Sequence, residues 1–272
     1  MTTTTSTAAS YVPRIAPVPT RRPLRIVERQ VLVYRRLWPM FLTGFLEPLL
    51  FLGSIGLGVG KLVQTLPGPF GEPVSYASFV APGLLATSAM NGAVIDVTFG
   101  FFVNFKYRHT YDAILATPLR VVDVAVGEVM WALMRGAVYS CVFLATMAGL
   151  GYVHSPWAIL CAPVAVLIGL AFGSAGLAAT TWMRSFIDFD LVTLALVPLF
   201  LFSAVFFPLT RYPDWLAAII KITPLYQGVA VTRRLCFGPP DLATLGHVVY
   251  LAIMAAVGIV IASRRLRRLL QP

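Results

Sequence analysis

The chain has 272 residues, of which 58% are hydrophobic and only 12% charged, with a formal net charge of +10. A soluble domain carries about 25% charged residues, so this composition, with a mean hydropathy of +0.81, excludes a water-soluble globular protein and points to an integral membrane protein. The positive charge does not indicate nucleic acid, because the basic residues gather at the ends of apolar runs, as in membrane proteins.

Residues 1–21 are rich in Thr, Ala and Pro and hold no apolar core, so they read as a disordered cytoplasmic tail rather than a signal peptide. Residues 22–37 come next as an amphipathic helix lying in the membrane interface. Leu24, Val27, Val31 and Tyr34 fall at helical spacing among Arg25, Arg29, Arg35 and Arg36. Crossing the hydrocarbon core takes about 20 apolar residues in a helix. Six segments within residues 38–268 meet that need, at about 38–60, 79–103, 121–150, 157–182, 191–208 and 246–263. Between the last two, residues 209–245 hold two short helix-capable stretches, interrupted at Lys221 and Pro224 and closed by Gly238-Pro239-Pro240. Neither stretch can cross a bilayer, so they are expected to dip into the outer leaflet as a re-entrant pair shielded by the spans. The expected fold is therefore all-α and membrane-integral, with six transmembrane helices.

Of the 21 Lys and Arg, fifteen fall on the side that holds both termini, five on the other, and Arg135 within a span. The positive-inside rule then places both termini in the cytoplasm, in a multi-pass protein of the cell membrane.

Chemistry-bearing motifs are few. Gly53 to Lys61 superficially resembles a phosphate-binding loop, but Ile55 stands where that loop needs Gly and Leu62 where it needs Ser or Thr. The glycines suit helix packing instead, with Gly56 and Gly60 one GxxxG pair and Gly169 and Gly173 another. Cys141, Cys161 and Cys236 are scattered without metal-ligand spacing and read as packing residues. Neither a metal site nor a cofactor is expected in the chain, and no catalytic site. Gly173-Ser174-Ala175-Gly176 and His247 superficially resemble an intramembrane serine protease, but the motif order is wrong and the two residues fall at different depths.

Glu47, Asp96, Glu128 and Arg135 are the ionisable residues placed inside spans, where charge is costly and calls for a partner or a function. Asp96 and Glu128 fall near the cytoplasmic ends of their spans. Glu47 and Arg135 lie deeper and could pair across the first and third spans, either locking the bundle or lining a path. Asn91, with Phe200, Phe202 and Phe206 of the aromatic fifth span, are candidates for contact with an amphiphilic substrate; an anchor belt or dimer packing is the alternative for the aromatics. The Arg264 to Arg268 cluster is suited to anionic lipid headgroups.

The polar segment Lys106 to Arg120, between the second and third spans, is too short for a domain and long enough for a docking helix. Its Tyr111-Asp-Ala-Ile-Leu-Ala-Thr-Pro-Leu119, followed by Val126-Gly-Glu-Val-Met-Trp131, resembles the type-2 ABC exporter (ABC-2) permeases. It is particularly similar to those that export lipo-oligosaccharide nodulation factors. Glu47 to Leu50, Ala81-Pro82-Gly83-Leu84-Leu85, Phe206-Phe-Pro208, Thr223-Pro-Leu-Tyr-Gln227 and Arg233 to Gly238 match in order and spacing. Many relatives carry a longer basic or amide side chain at His109 and a histidine at Gln227.

The resemblance implies a homodimer of permease chains above two ABC ATPase subunits, which bind the ATP and Mg. It places a coupling helix within Phe105 to Pro118. Ile114 and Leu115 would seat it on the ATPase, with Phe105, Arg108, His109, Tyr111, Asp112 and Pro118 as further docking residues. Spans one, two and five would line the route. The implied substrate is amphiphilic, a lipid-linked saccharide or a hydrophobic drug as in daunorubicin-type permeases. Two other readings stand beside it. One is a secondary transporter or channel that uses the intramembrane charges and an ion gradient; the other is a scaffold that only recruits a partner through residues 104–120.

Overall fold

A computed structural model describes residues 22–36, 38–63, 65–100, 102–103, 121–183, 185 and 187–270. The expected tail at 1–21 and the docking segment at 105–118 lie outside the described residues. Helix α1 (Arg22–Arg36) leads into α2 (Trp38–Leu57), which ends in a 3-10 turn at Val59–Lys61. Two short strands, β1 (Leu66–Pro67) and β2 (Pro73–Val74), pair antiparallel with Leu66 opposite Val74. Then come α3 (Tyr76–Ile95), α4 (Val121–Gly149), α5 (Cys161–Thr180), α6 (Asp188–Leu201), α7 (Asp214–Ile222), α8 (Pro224–Phe237) and α9 (Leu242–Leu270).

Four stretches among the described residues are long and apolar enough to cross a membrane: Tyr76–Gly100, Val129–Gly149, Pro156–Thr180 and Leu242–Arg265. They correspond to the expected second, third, fourth and sixth spans, so the protein is a multi-pass membrane protein. Helix α2 adds 20 residues, about 30 Å at 1.5 Å per residue. The fifth expected span differs. Helix α6 is only 14 residues long, about 21 Å, against a hydrocarbon core of about 30 Å. Residues 202–207 leave the helix, and Ala204 takes a positive φ of 56°. Helix α7 and helix α8 meet at a bend of 86° around Thr223-Pro224. Pro224 begins α8, where its missing N–H costs nothing.

Helix α3 is the centre of the bundle. It is apolar all round, as a helix surrounded by others must be, and sixteen of its 20 residues are buried. Helix α5 approaches it through small residues. A β-carbon at Gly169 would lie 3.6 Å from Ala93 Cβ, and one at Gly173 would lie 3.5 Å from Val97 Cγ2, which is the close approach expected of that GxxxG pair. The first pair behaves differently. Gly56 faces Tyr152 and Ala77, whereas Gly60 lies beyond the end of α2 and meets only the Ile55 carbonyl of its own segment.

After Ile95, α3 widens into a π-helical turn over Asp96–Gly100. Gly176 of α5 seats against it, with Thr98 Cγ2 only 2.8 Å from where a β-carbon would stand. Helix α1 covers Arg22–Arg36 of the expected amphipathic stretch. Leu24 and Val31 face outward, and Ile26 is the buried contact, pressed onto Gly127 of α4.

Candidate functional site

Parts of the chain adjoining three of the stretches that carry the family resemblance, Ala81 to Leu85, Phe206 to Pro208 and Arg233 to Gly238, meet at the end of the bundle where α3 begins. Phe79 and, one turn on, the adjacent Pro82 and Gly83 lie near the start of α3, and each receives a contact from outside the helix. Val205 packs on Gly83, with its Cγ1 3.0 Å and its Cα 3.2 Å from the position of a glycine β-carbon, so any larger residue there would collide with backbone. Thr232 of α8 donates its hydroxyl to the Pro82 carbonyl at 2.9 Å. Its neighbour Arg233 is buried, with Nε donating to the Phe79 carbonyl at 3.2 Å. Nη2 of the same guanidinium donates to the carbonyls of Ala204 at 2.9 Å and Val205 at 3.2 Å.

These bonds explain how the chain leaves α6 inside an apolar bundle. Irregular backbone is tolerated at that depth only where its polar groups find partners. Arg233 supplies donors to two carbonyls of the non-helical stretch. The planar fork of a guanidinium suits several acceptors at once, which a lysine ammonium cannot match.

A second polar node sits at the α7–α8 bend. Gln227 donates through Nε2 to the Lys221 carbonyl at 2.5 Å, and its Oε1 is in hydrogen-bond contact with His247 Nδ1 on α9. Tyr250 donates to the Ile222 carbonyl at 2.8 Å. The last carbonyls of α7 are thus held by α8 and α9, which fixes the bend. Beyond it, Asp241 caps α9, accepting from the Thr244 amide at 2.9 Å and hydroxyl at 2.7 Å, and pairs with Arg234. Together these hydrogen bonds hold the Asp241 carboxyl well below the usual carboxylate range.

The predicted site residues are distributed unevenly. Phe200 and Phe206 come together edge to face, with ring centroids 5.1 Å apart, while Phe202 turns outward at 44% exposure. Asn91 is half-buried on α3. Arg135 is half-buried on α4 with its guanidinium carbon 5.7 Å from the Tyr139 ring centroid. The side chains of Glu47, Asp96 and Glu128 lie outside the described residues, and so do Phe105, Arg108, His109, Tyr111, Asp112, Ile114, Leu115 and Pro118.

The serine-protease likeness has no geometric basis. Ser174 donates to the carbonyls of Ala171 at 3.0 Å and of Ala255 on α9 at 3.3 Å, stitching α5 to α9. His247 stands eight residues before Ala255 on the same helix, about 12 Å along the axis. Cys161 and Cys236 are buried with sulfurs 3.8 Å apart across α5 and α8, both as free thiols, and Cys141 faces outward. Among the described residues no group of His, Cys, Asp or Glu is arranged to hold a metal ion.

Arg233 is the residue that sequence reasoning missed, since charge counting registers it only as one of the basic residues outside the spans. The available signal is the Arg233-Arg234 pair inside an otherwise uncharged α8, on a helix where Val229, Val231 and Leu235 are all buried.

Comparison with known proteins identifies the family. The chain is 31% identical over 223 residues to Nodulation protein J of Rhizobium leguminosarum bv. trifolii, covering 82% of this chain and 83% of the relative. It is 30% identical over 227 residues to Nodulation protein J of Rhizobium meliloti strain 1021, covering 83% and 85%. Inner membrane transport permease YadH of Escherichia coli K12 is 27% identical over 210 residues, covering 74% and 77%. The profile of the ABC-2 type transporter family matches residues 24–237, from within α1 through the whole of α8. The chain belongs to the ABC-2 type transporter family and is a permease of that class.

Proposed function

We propose that this chain is the membrane subunit of an exporter driven by a separate ABC ATPase, working as a homodimer in the cytoplasmic membrane with both termini inside. The observation that carries the reading is the family match over residues 24–237, in a chain whose Gly53–Lys61 stretch fails the phosphate-loop pattern. A transporter of this class without its own nucleotide site needs an external motor. Residues 105–118 form the seat for it, with Ile114 and Leu115 as the apolar contact. Both ends of that segment join apolar helices, so closure of a docked ATPase pair is transmitted to α3 and α4 as a push along their axes.

The cargo is amphiphilic, a lipid-linked saccharide or a hydrophobic drug. The relatives named Nodulation protein J favour the saccharide class. The second copy covers the apolar face of α6, a helix with no buried residue of its own, where Leu191 and Leu194 are more than 60% exposed.

The test is co-purification of the full chain with the ABC ATPase encoded beside it, followed by ATP-driven transport in lipid vesicles. A stable complex whose transport is abolished by Leu115→Asp, with the chain still folded, is the expected result. Unimpaired transport by that variant would sink the docking role. Transport that needs an ion gradient and no ATPase would return the function to Glu47, Asp96, Glu128 and Arg135.

A further inference from the structure

An apolar groove of about 640 Å³ runs along the outside of the bundle between α5 and α9. Its origin is local. Helix α9 comes close to α5 at Gly258, where a β-carbon would stand 3.0 Å from the Ala175 amide nitrogen and against Ser174. Beside that contact α5 presents only alanines, Ala175, Ala178 and Ala179, so the floor is low. The wall on α9 is tall and faces outward: Ile253 and Val257 are 59% and 51% exposed.

One end of the groove is charged. Trp182, just past α5, lies with its ring centroid 4.5 Å from the guanidinium carbon of Arg265. Arg265 Nε is buried and has no hydrogen-bond partner among the described residues. Arg264 is exposed beside it, Arg267 and Arg268 come next in sequence, and α9 contains no acidic residue over its whole length. A guanidinium lying over an indole keeps its in-plane N–H donors for an oxyanion. Tryptophan and arginine together also mark the headgroup level of a span.

From Tyr250, which lines the groove, to Arg265 is fifteen residues, about 22 Å. One leaflet of hydrocarbon is about 15 Å deep, so an acyl chain entering beside Trp182 fits within the groove's length. We propose that this groove is a binding site for an anionic phospholipid, one acyl chain lying against Ala179 and Val257 and the phosphate held by Arg265. Charge complementarity selects this occupant over a zwitterionic lipid, because Arg264 and Arg265 stand at this end of the groove and α9 has no carboxylate of its own. The site depends on α5 and α9 crossing the membrane and not on the choice of ATPase or cargo.

The experiment uses the full chain in neutral detergent, loaded from mixed micelles with phosphatidylglycerol or phosphatidylcholine of identical chains and read by native mass spectrometry. Phosphatidylglycerol should be retained about tenfold better than phosphatidylcholine. Arg265→Gln should remove that preference, and Val257→Trp, which fills the groove from an exposed position, should remove retention. The exposed Arg29→Gln should change neither.

As a check independent of those variants, phosphatidylglycerol brominated on its acyl chain should quench tryptophan fluorescence saturably. Trp182→Phe should lose that component. Equal retention of the two lipids, or retention unaffected by Arg265→Gln, overturns the proposal. So does disulfide crosslinking of Val257→Cys between two copies with lipid excluded, which would make the groove a protein interface.

Discussion

Arg233 lies over the face of Phe79, its guanidinium carbon 3.8 Å from the ring centroid, while its Nε donates to the carbonyl oxygen of that same residue. One side chain therefore grips α3 through both the ring and the backbone of a single residue, and its other nitrogen grips the chain leaving α6. Arg233→Leu leaves the carbonyls of Phe79, Ala204 and Val205 without this donor in an apolar setting. The expected loss of stability is about 2–4 kcal/mol, read as a lower melting temperature in detergent. Arg233→Lys keeps the charge and loses the fork, so it should fall between the two. A leucine variant as stable as the parent would refute the clamp.

Gly127 and Ile26 define how α1 attaches to α4. A methyl group on Gly127 would stand 2.6 Å from Ile26 Cβ, a branch point that cannot swing away. Gly127→Ala should therefore lift α1 off α4, at a cost of about 1–3 kcal/mol. Limited trypsin digestion at Arg25 and Arg29 should then become faster, while the melting of the remaining bundle changes less.

Asp241 gives a pH signature. Its carboxyl is held below the ordinary value of 3.8 by Arg234 and Thr244, so the folded chain binds this proton less readily than the unfolded chain. The pairing accordingly stabilises the fold above that ordinary value and is lost as pH falls through the lower folded value. Asp241→Asn keeps a helix-capping side chain and removes the titration. The parent's thermal advantage over Asp241→Asn at pH 7 should shrink as the pH is taken from about 4 downward; a constant gap would argue against the pair.

Gly173 and Gly53 separate packing glycines from incidental ones. Gly173 faces Ala93 and Val97 of α3, while nothing lies within 4 Å of a β-carbon at Gly53. Gly173→Leu should cost about 1–3 kcal/mol by overpacking, and Gly53→Leu should be close to neutral. Side-by-side detergent melting curves decide it.

Hydropathy locates α3, α4, α5 and α9 because each carries an uninterrupted apolar run of membrane length. It overestimates the fifth span for a physical reason. Phe202, Phe206 and Phe207 count as apolar whether or not they are helical, and no residue scale registers that the carbonyls of Ala204 and Val205 between them are held by a distant Arg233. The two bend-fixing groups, Gln227 and His247, are legible only as residue types, since 20 positions of chain separate them. The resemblance motifs read in linear order. Their meaning as one junction, with Val205 on Gly83 and Thr232 on Pro82, exists only in three dimensions.

The π-helical turn at Asp96–Gly100 re-aims the chain that leaves α3. An α-helix rotates about 100° per residue, and a single turn with i→i+5 bonding accommodates one residue more than the regular ladder. Phe102 and Val103, the described residues that follow, are therefore swung by roughly that angle from the azimuth an unbroken α3 would give them. Removing one residue from the turn would alter the helix length by only about 1.5 Å and would rotate Phe102 away from Phe189 of α6, whose ring centroid now lies 5.0 Å from its own. The facing of Phe102 toward α6 is thus set by a one-residue phase shift, with Gly176 and Thr98 as the packing that keeps it in place.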